Sequence, residues 1–351
     1  MGRSKTSGRA TAGRPAGRHP SGIVDAVLGR SHAAERLALC RLITGAAVLR
    51  TVWHLPSGRF VADYKPMVEE ADGRPAKGPA LDPLVYEALR GVAAVSTGAW
   101  MLGARHPAVK IAANGSFALL QRQLVALDDD AYNYNSHLNV FLALLSLADE
   151  PGSAVAGAVT GAVAGTGAAV DAEYRADPEY TEYASAVLTA LQAYYATMYL
   201  QSGISKLVKV GWRWTEGRTL RAAWAEVGTP AGKRLAAMDP GLAKAASTAA
   251  LVYELAFAPL LVAAWRHKEL LGLSSAAFHG AVKATMGISF WHLSWFSVPL
   301  FAAPDEAVRR CGRLLAAPRG NARARRGAAV AGALLGAAPL VRSWLRKRAG
   351  A

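Results

Sequence analysis

The stretch "YASAVLTALQAYYATMYLQSGISKLVKVGWRW", residues 183–214, decides the fold class. Its first part is apolar over residues 184–205, and a helix of about 20 apolar residues crosses a hydrocarbon layer of about 30 Å. The apolar run stops at Lys206, and Trp212 and Trp214 follow it. Tryptophans are enriched at the interface between membrane and water. The stretch therefore predicts a membrane-spanning helix with a lysine at its end.

Similar apolar runs recur along the chain, separated by clusters of turn-forming and charged residues. They cover residues 34–55, 84–103, 107–127, 135–148, 153–170, 244–264 and 274–302, with a short piece at 328–345. No alternation of apolar and polar residues competes with this helical pattern. We therefore predict an all-α protein, a polytopic transmembrane bundle of about eight membrane helices. The Ala/Gly-rich run at 153–170 is either a span or a flexible loop, which leaves open the side of the membrane that Lys206 faces.

The composition agrees with apolar spans joined by charged loops, since 52% of the 351 residues are hydrophobic and 19% are charged. The formal net charge of +15 would also suit a nucleic-acid-binding protein. The basic residues, however, concentrate at the two ends and beside apolar runs, as they do in the flanks of membrane proteins. We predict a basic disordered tail at 1–33, a transmembrane domain at 34–304 and an Arg-rich segment with a short apolar helix at 305–351. The predicted partner is the lipid bilayer and not nucleic acid.

Two cysteines, Cys40 and Cys311, lie far apart and have no metal-binding spacing. We therefore predict no metal site and no disulfide framework. The heavy use of Ala, Gly, Arg and Pro is typical of a high-GC bacterium, so the predicted location is the bacterial plasma membrane. The basic, flexible termini fit a membrane location, because basic residues flank the apolar spans of membrane proteins.

A polar stripe runs along the helix of the opening stretch. Tyr195, Tyr199, Ser202 and Lys206 follow each other at intervals of four, three and four residues, which places them on one helical face. Removal from water disfavours the charged form of an amine, so a half-buried lysine is suited to act as a base or nucleophile. The alternative is a lysine that anchors the helix end at the membrane interface beside the tryptophans. The spacing leaves both interpretations open.

Two further stretches place polar groups in apolar surroundings. "DDDAYNYNSHLNVF", residues 128–141, carries Asn133, Asn135 and His137, and "FHGAVKATMGISFWHLSWFSVPLFAAP", residues 278–304, carries His279 and His292. Polar side chains in a dry bundle need partners, either on neighbouring helices or on a polar ligand. Small and aromatic residues in the second stretch suit a flat ring system or tight helix packing.

In this order, the three stretches resemble the horizontally transferred transmembrane (HTTM) domain, which the vitamin K-dependent gamma-glutamyl carboxylases share with bacterial relatives. The similarity covers residues 34–304, and "YLQSGISKLVKVGWRWTEG" is its most specific part. The resemblance implies that Lys206 is the base that deprotonates a reduced, vitamin K-like quinone. It also implies oxygen and carbon dioxide as co-substrates and a peptide or small molecule as the substrate that is modified.

The resemblance implies a quinol-binding pocket as well. Its predicted lining consists of Asn133, Asn135, His137, Tyr199, Gly203, Trp212 and His279. The chain departs from the family where Ser205 replaces the first lysine of the usual pair, and where Asn135 stands in place of a histidine. The acid/base role of that histidine does not transfer to Asn135, and His137 is the nearest substitute. The rival hypothesis is a non-catalytic scaffold or partner subunit in which Lys206 anchors a helix end.

Overall fold

The computed structural model of the chain describes residues 32–72, 81–102, 104, 106–125, 129–148, 178–263 and 267–316. At 68–72, 129–135, 178–182 and 312–316 the structure describes the backbone only. The described residues form helices and no strands, so the all-α prediction is confirmed.

Twelve α-helices follow one another in the described ranges. They are α1 (Ala33–His54), α2 (Gly58–Asp72), α3 (Pro83–Met101), α4 (Pro107–Val125), α5 (Asp129–Leu147), α6 (Pro178–Val210), α7 (Arg218–Glu226), α8 (Pro230–Ala237), α9 (Pro240–Ala263), α10 (Lys268–Met286), α11 (Trp291–Ser297) and α12 (Asp305–Ala316). A 3₁₀ helix (Gly211–Glu216) joins α6 to α7, and a π-helical turn (Val298–Ala302) continues α11.

Helix α1 lies at the centre of the bundle and contacts α3, α5, α6, α11 and the π-helical turn. Helix α6 packs on α9 along its second half. The core between them is aromatic: Phe141, Tyr195, Phe257, Phe296 and Phe301 are all almost fully buried. This aromatic core positions the polar stripe of α6 inside the bundle.

Local signals explain where several helices begin and end. The Asp82 carboxylate accepts hydrogen bonds from the backbone N–H groups of Leu84 and Val85, and Pro83 occupies the first turn of α3. Gly217 ends the 3₁₀ helix with φ +77°, and a Cβ there would lie 2.4 Å from the backbone nitrogen of Lys244. Only glycine therefore allows the chain to turn against the start of α9 at this point.

One helix among the described residues, α9, is long and apolar enough to cross a membrane. Only 28% of its most apolar 18-residue window is buried inside the protein. The bundle of about eight spans stays a prediction. The predicted runs at 153–170 and 328–345 lie outside the described residues, as does nearly all of the predicted tail at 1–33.

The single long span predicted at 274–302 is wrong. Gly287 adopts φ +73° and ends α10, and a new helix, α11, begins at Trp291. A left-handed residue cannot continue an α-helix, so the apolar run folds as two helices and a π-helical turn. Helices α2, α7 and α8 are not among the predicted helices, because their sequences are too polar to stand out as apolar runs.

Arg36 connects the start of α1 to the end of the π-helical turn. Its guanidinium donates hydrogen bonds to the carbonyl oxygens of Pro299 (2.9 Å) and Ala303 (2.8 Å) and to Asp305 Oδ1 (2.8 Å). The side chain is buried although it is charged. Three charge-assisted hydrogen bonds compensate for its removal from water and fix the two ends of the described core together.

We predict that Arg36→Ala destabilises the protein by about 2 kcal/mol, because it leaves the buried Pro299 carbonyl group and the partly buried Ala303 carbonyl group without their donor. The measurement is the thermal unfolding midpoint of the purified protein in detergent. The matched control is Arg309→Ala, which removes an exposed arginine that pairs with Glu306 on the surface of α12. We expect the control to change stability by less than about 0.5 kcal/mol. Equal midpoints for Arg36→Ala and the wild type would contradict the assignment.

Candidate functional site

Lys206 lies near the end of α6 and pairs with Glu254 in the middle of α9. Its Nζ is 2.7 Å from both carboxylate oxygens of Glu254 and donates a third hydrogen bond to Ser202 Oγ at 2.8 Å. Ser202 Oγ donates in turn to Glu254 Oε1 at 3.1 Å. The ammonium, the carboxylate and the hydroxyl thus form a closed triangle, which we call the Lys206 triad.

The triad is placed where water has limited access. The Glu254 side chain is 6% exposed and the Lys206 side chain 21% exposed. The ring of Trp214 lies over the lysine, with its centroid 5.3 Å from Nζ. An ammonium over an indole face gains a cation–π interaction in addition to its ion pair. The lysine is therefore held toward the bundle and is not extended toward the surroundings.

Gly203 brings the two helices close enough for the triad to form. A Cβ at this position would lie 2.9 Å from Leu255 Cδ2 and 3.3 Å from Glu254 Cβ. An added methyl group would therefore overlap the Leu255 side chain, so that either this side chain or α9 has to move at the height of the ion pair. The structure gives Gly203 a packing role beside Glu254.

A second polar group lies on the same face of α6, toward α10. Ser275 Oγ is hydrogen-bonded to Tyr195 Oη (2.6 Å) and Tyr199 Oη (2.7 Å), and Tyr199 Oη lies 2.9 Å from His279 Nε2. We call these four residues the Tyr199 network. No hydrogen bond between described residues joins it to the Lys206 triad. The polar stripe of α6 thus has two sets of partners, Glu254 on α9 and Ser275 with His279 on α10.

Aromatic rings surround the Tyr199 network. The Tyr199 ring stacks on Phe257 with centroids 4.3 Å apart, and the His279 ring lies 5.2 Å from Phe290. His279 is 7% exposed, and its Nδ1 has no hydrogen-bond partner among the described residues. A buried imidazole nitrogen of this kind can still donate or accept one hydrogen bond.

The remaining predicted site residues are placed differently. His137 Nδ1 lies 3.2 Å from Tyr194 Oη, and that tyrosine packs edge-on against the core ring of Phe141. Trp212 is 74% exposed, and it is Trp214, two residues further on, that lies over Lys206. The side chains of Asn133 and Asn135, in the first half of α5, lie outside the part of the chain whose side chains are described. Their predicted binding roles stay predictions.

Glu254 belongs to this site but not to the three stretches that carry the family resemblance. The sequence signal for it is a single carboxylate inside the apolar run 244–264, which requires a partner if the run is dry. Among the described residues, no group of three or more His, Cys, Asp or Glu side chains is arranged to hold a metal ion.

Comparisons with protein-family models, with curated proteins and with solved structures gave no match. The resemblance to the carboxylase membrane domain therefore rests on the three sequence stretches and stays a prediction.

We predict that Gly203→Ala destabilises the protein by about 1 to 3 kcal/mol, because the added methyl group overlaps Leu255, so that either this side chain or α9 has to move. The control is Gly115→Ala on α4, where a Cβ meets nothing within 4 Å. That control should be neutral or stabilising by up to about 1 kcal/mol, since alanine favours a helix. Thermal unfolding of both variants measures the difference. A Gly203→Ala protein as stable as the wild type would contradict the close packing at the triad.

Proposed function

We propose that this chain is a multi-pass protein of the bacterial plasma membrane that oxidises a membrane quinol, with Lys206 as the base. As in the family it resembles, the oxidation would be coupled to modification of a peptide or small molecule, with oxygen and carbon dioxide as co-substrates. The observation that carries the proposal is the Lys206 triad, a lysine held against a buried carboxylate at the edge of an aromatic core.

The distribution of side chains supports the membrane part of the proposal. Several helices turn large apolar residues outward while polar residues lie inside the bundle. Exposed apolar residues include Leu84, Val95, Ile111, Val252, Val262 and Leu270, and buried polar ones include Thr97, Ser116, Gln121, Gln192 and Glu254. This arrangement suits lipid outside and hydrogen-bonding partners inside.

The triad can supply a base without a net change of charge. A proton that moves from Lys206 Nζ to a Glu254 oxygen, over 2.7 Å, leaves a neutral amine beside a neutral carboxyl group. The amine then has a lone pair with which to accept a proton from a substrate hydroxyl, and Ser202 keeps the group aligned. Glu254 is thereby the proton store and Lys206 the residue that meets the substrate.

The Tyr199 network fits a flat hydroxylated ring by its chemistry. Its surroundings are aromatic, with Tyr199 stacked on Phe257 and His279 beside Phe290, and the buried Nδ1 of His279 can form one more hydrogen bond. We place the quinol ring between this network and the Lys206 triad, where it would give its hydroxyl proton to Lys206 and its reducing electrons to oxygen. The protein would exclude water, hold the ring through Tyr199 and His279, and move the proton within the triad.

The test is quinol-dependent oxygen uptake by the purified protein, assayed with vitamin K hydroquinone and with menaquinol. We expect Lys206→Ala to lower the rate by at least about 100-fold, the usual effect of losing a general base. Glu254→Gln should also lower the rate, because an amide cannot take the proton from Nζ.

The matched control for this assay is Lys209→Ala, which removes an exposed lysine from the same helix. It should keep the wild-type rate, because Lys209 has no ion-pair partner among the described residues. Equal rates for Lys206→Ala and the wild type would reject Lys206 as the base.

A second candidate function is a non-catalytic scaffold or partner subunit. The observation that favours it is the two-oxygen contact between Lys206 and Glu254, which also suits a pair that only joins α6 to α9. Buried pairs with this structural role are often replaceable by apolar residues of similar volume.

The double variant Lys206→Met/Glu254→Leu separates the two functions. We predict that each single change lowers the unfolding midpoint, because it leaves one buried charge or polar group unpaired, and that the double change restores most of it. Under the proposed function the restored protein stays inactive with quinol. A wild type without activity toward either quinol, together with a stable double variant, would favour the scaffold.

A further inference from the structure

Residues 211–239, the 3₁₀ helix with α7 and α8, form a compact layer at one end of the α6–α9 pair, which we call the cap. The cap packs on the start of α9 and on the end of α10. Trp224 and Ala236 of the cap form a small core together with Ala243 at the start of α9. It lies at the helix ends nearest the Lys206 triad, because α6 runs directly into it.

Specific hydrogen bonds fix the cap to the bundle. Thr229 Oγ1 donates to the carbonyl oxygen of Ala284 (2.6 Å) at the end of α10, and the Thr229 backbone N–H donates to Thr285 (3.0 Å). Arg221 Nε donates to the carbonyl oxygen of Ala236 and joins α7 to α8. The cap is therefore a defined surface and not a loose loop.

The outer surface of the cap and of the adjoining ends of α6 and α9 is strongly basic. From 209 to 244 the chain carries seven basic residues against three acidic ones. Arg218 pairs with Glu216, and Arg221 is bonded within the cap. The other five are exposed and have no ion-pair partner among the described residues: Lys209, Arg213, Lys233, Arg234 and Lys244.

Large apolar side chains are exposed among these charges. Trp212, Val208, Val227 and Met238 are each more than half exposed. A soluble surface seldom combines an exposed tryptophan and several exposed aliphatic residues with unpaired lysines and arginines. The combination is typical of helices that lie in the headgroup layer, where apolar residues enter the acyl region and basic residues meet lipid phosphates.

We propose that the cap is an anionic-lipid-binding surface that lies in the headgroup layer of the bilayer. Its unpaired basic residues bind phosphatidylglycerol-type headgroups, and Trp212, Val227 and Met238 insert beside them. Each lysine or arginine near an anionic membrane surface adds to the attraction, and Arg213, Lys233 and Arg234 of the cap act together with the adjoining Lys209 and Lys244. The proposal does not require quinol chemistry at the Lys206 triad.

Nucleic acid is the other polyanion that such a patch would attract, and the exposed apolar residues favour lipid over it. Aliphatic side chains such as Val208, Val227 and Met238 gain free energy in an acyl environment. Binding of single strands relies instead on several aromatic rings that stack on bases, and the exposed part of the cap offers Trp212 alone among its described residues.

The test compares hydrogen exchange of residues 211–239 in the full-length protein in two nanodiscs. One contains phosphatidylcholine only, and the other replaces about a third of it by phosphatidylglycerol. We expect exchange in the cap to be about fivefold slower in the anionic disc, and the difference to shrink in about 0.5 M NaCl. A protein that shows equal exchange in both discs, or binds neither disc, overturns the proposal.

Two matched variants distinguish an effect of charge on lipid binding from an effect on the fold of the cap. Arg213→Gln/Lys233→Gln/Arg234→Gln should lose the lipid dependence, and Arg213→Lys/Lys233→Arg/Arg234→Lys should keep it.

Two soluble compounds, added separately to the phosphatidylcholine discs, test for other ligands. If glycerol phosphate alone protects the cap in phosphatidylcholine discs, the site is a small-phosphate site, and if only an oligonucleotide protects it, the surface binds nucleic acid. Either outcome overturns the proposal.

Discussion

The ion pair between Lys206 and Glu254 sets the register of the two longest helices of the described structure, α6 and α9. A carboxylate in the middle of an apolar helix costs several kcal/mol unless it is paired and hydrogen-bonded. Satisfying it requires the lysine, the Ser202 hydroxyl and a close approach of the two backbones, which Gly203 permits. Contacts on either side follow from this register. Ser247 on α9 donates to the carbonyl oxygen of Trp214, and Tyr199 stacks on Phe257.

The same register gives α6 two chemical neighbourhoods on one face. Toward its end lies the Lys206 triad, which is partly open to the surroundings, and about two turns earlier lies the buried Tyr199 network. The first can hold and release a proton, and the second offers aromatic faces and one buried imidazole nitrogen. A lysine that served only to anchor a helix would not need this second neighbourhood. In the proposed function, the first group carries the proton and the second holds the ring.

Much of the fold follows from hydropathy alone. Helices α1, α3, α4 and α9 begin and end within four residues of the predicted apolar runs. The break at Gly287 was missed because an apolar run does not reveal a left-handed residue within it. The cap was missed because α7 and α8 are short and polar, and they are stabilised by contacts with α9 and α10 that lie far away in sequence.

The candidate site, too, was predicted only in part from the sequence. Helical spacing predicted that Tyr195, Tyr199, Ser202 and Lys206 share a face, and the resemblance drew attention to His279. The partner of Lys206 could not be predicted, because Glu254 lies 48 residues away and the pairing depends on how α6 and α9 are aligned. The choice between Trp212 and Trp214 depends likewise on the 3₁₀ turn after α6, which places Trp214 over the lysine and leaves Trp212 outside.

Glu254 holds Lys206 inside the bundle, so that the lysine does not extend toward the surroundings. A structure by electron cryo-microscopy of the protein in a nanodisc would show this arrangement. We expect density for Lys206 Nζ within hydrogen-bond distance of both Glu254 oxygens, beneath the ring of Trp214. Density for a lysine side chain that points away from α9 toward the headgroup layer, with Glu254 bound to another group, would contradict it.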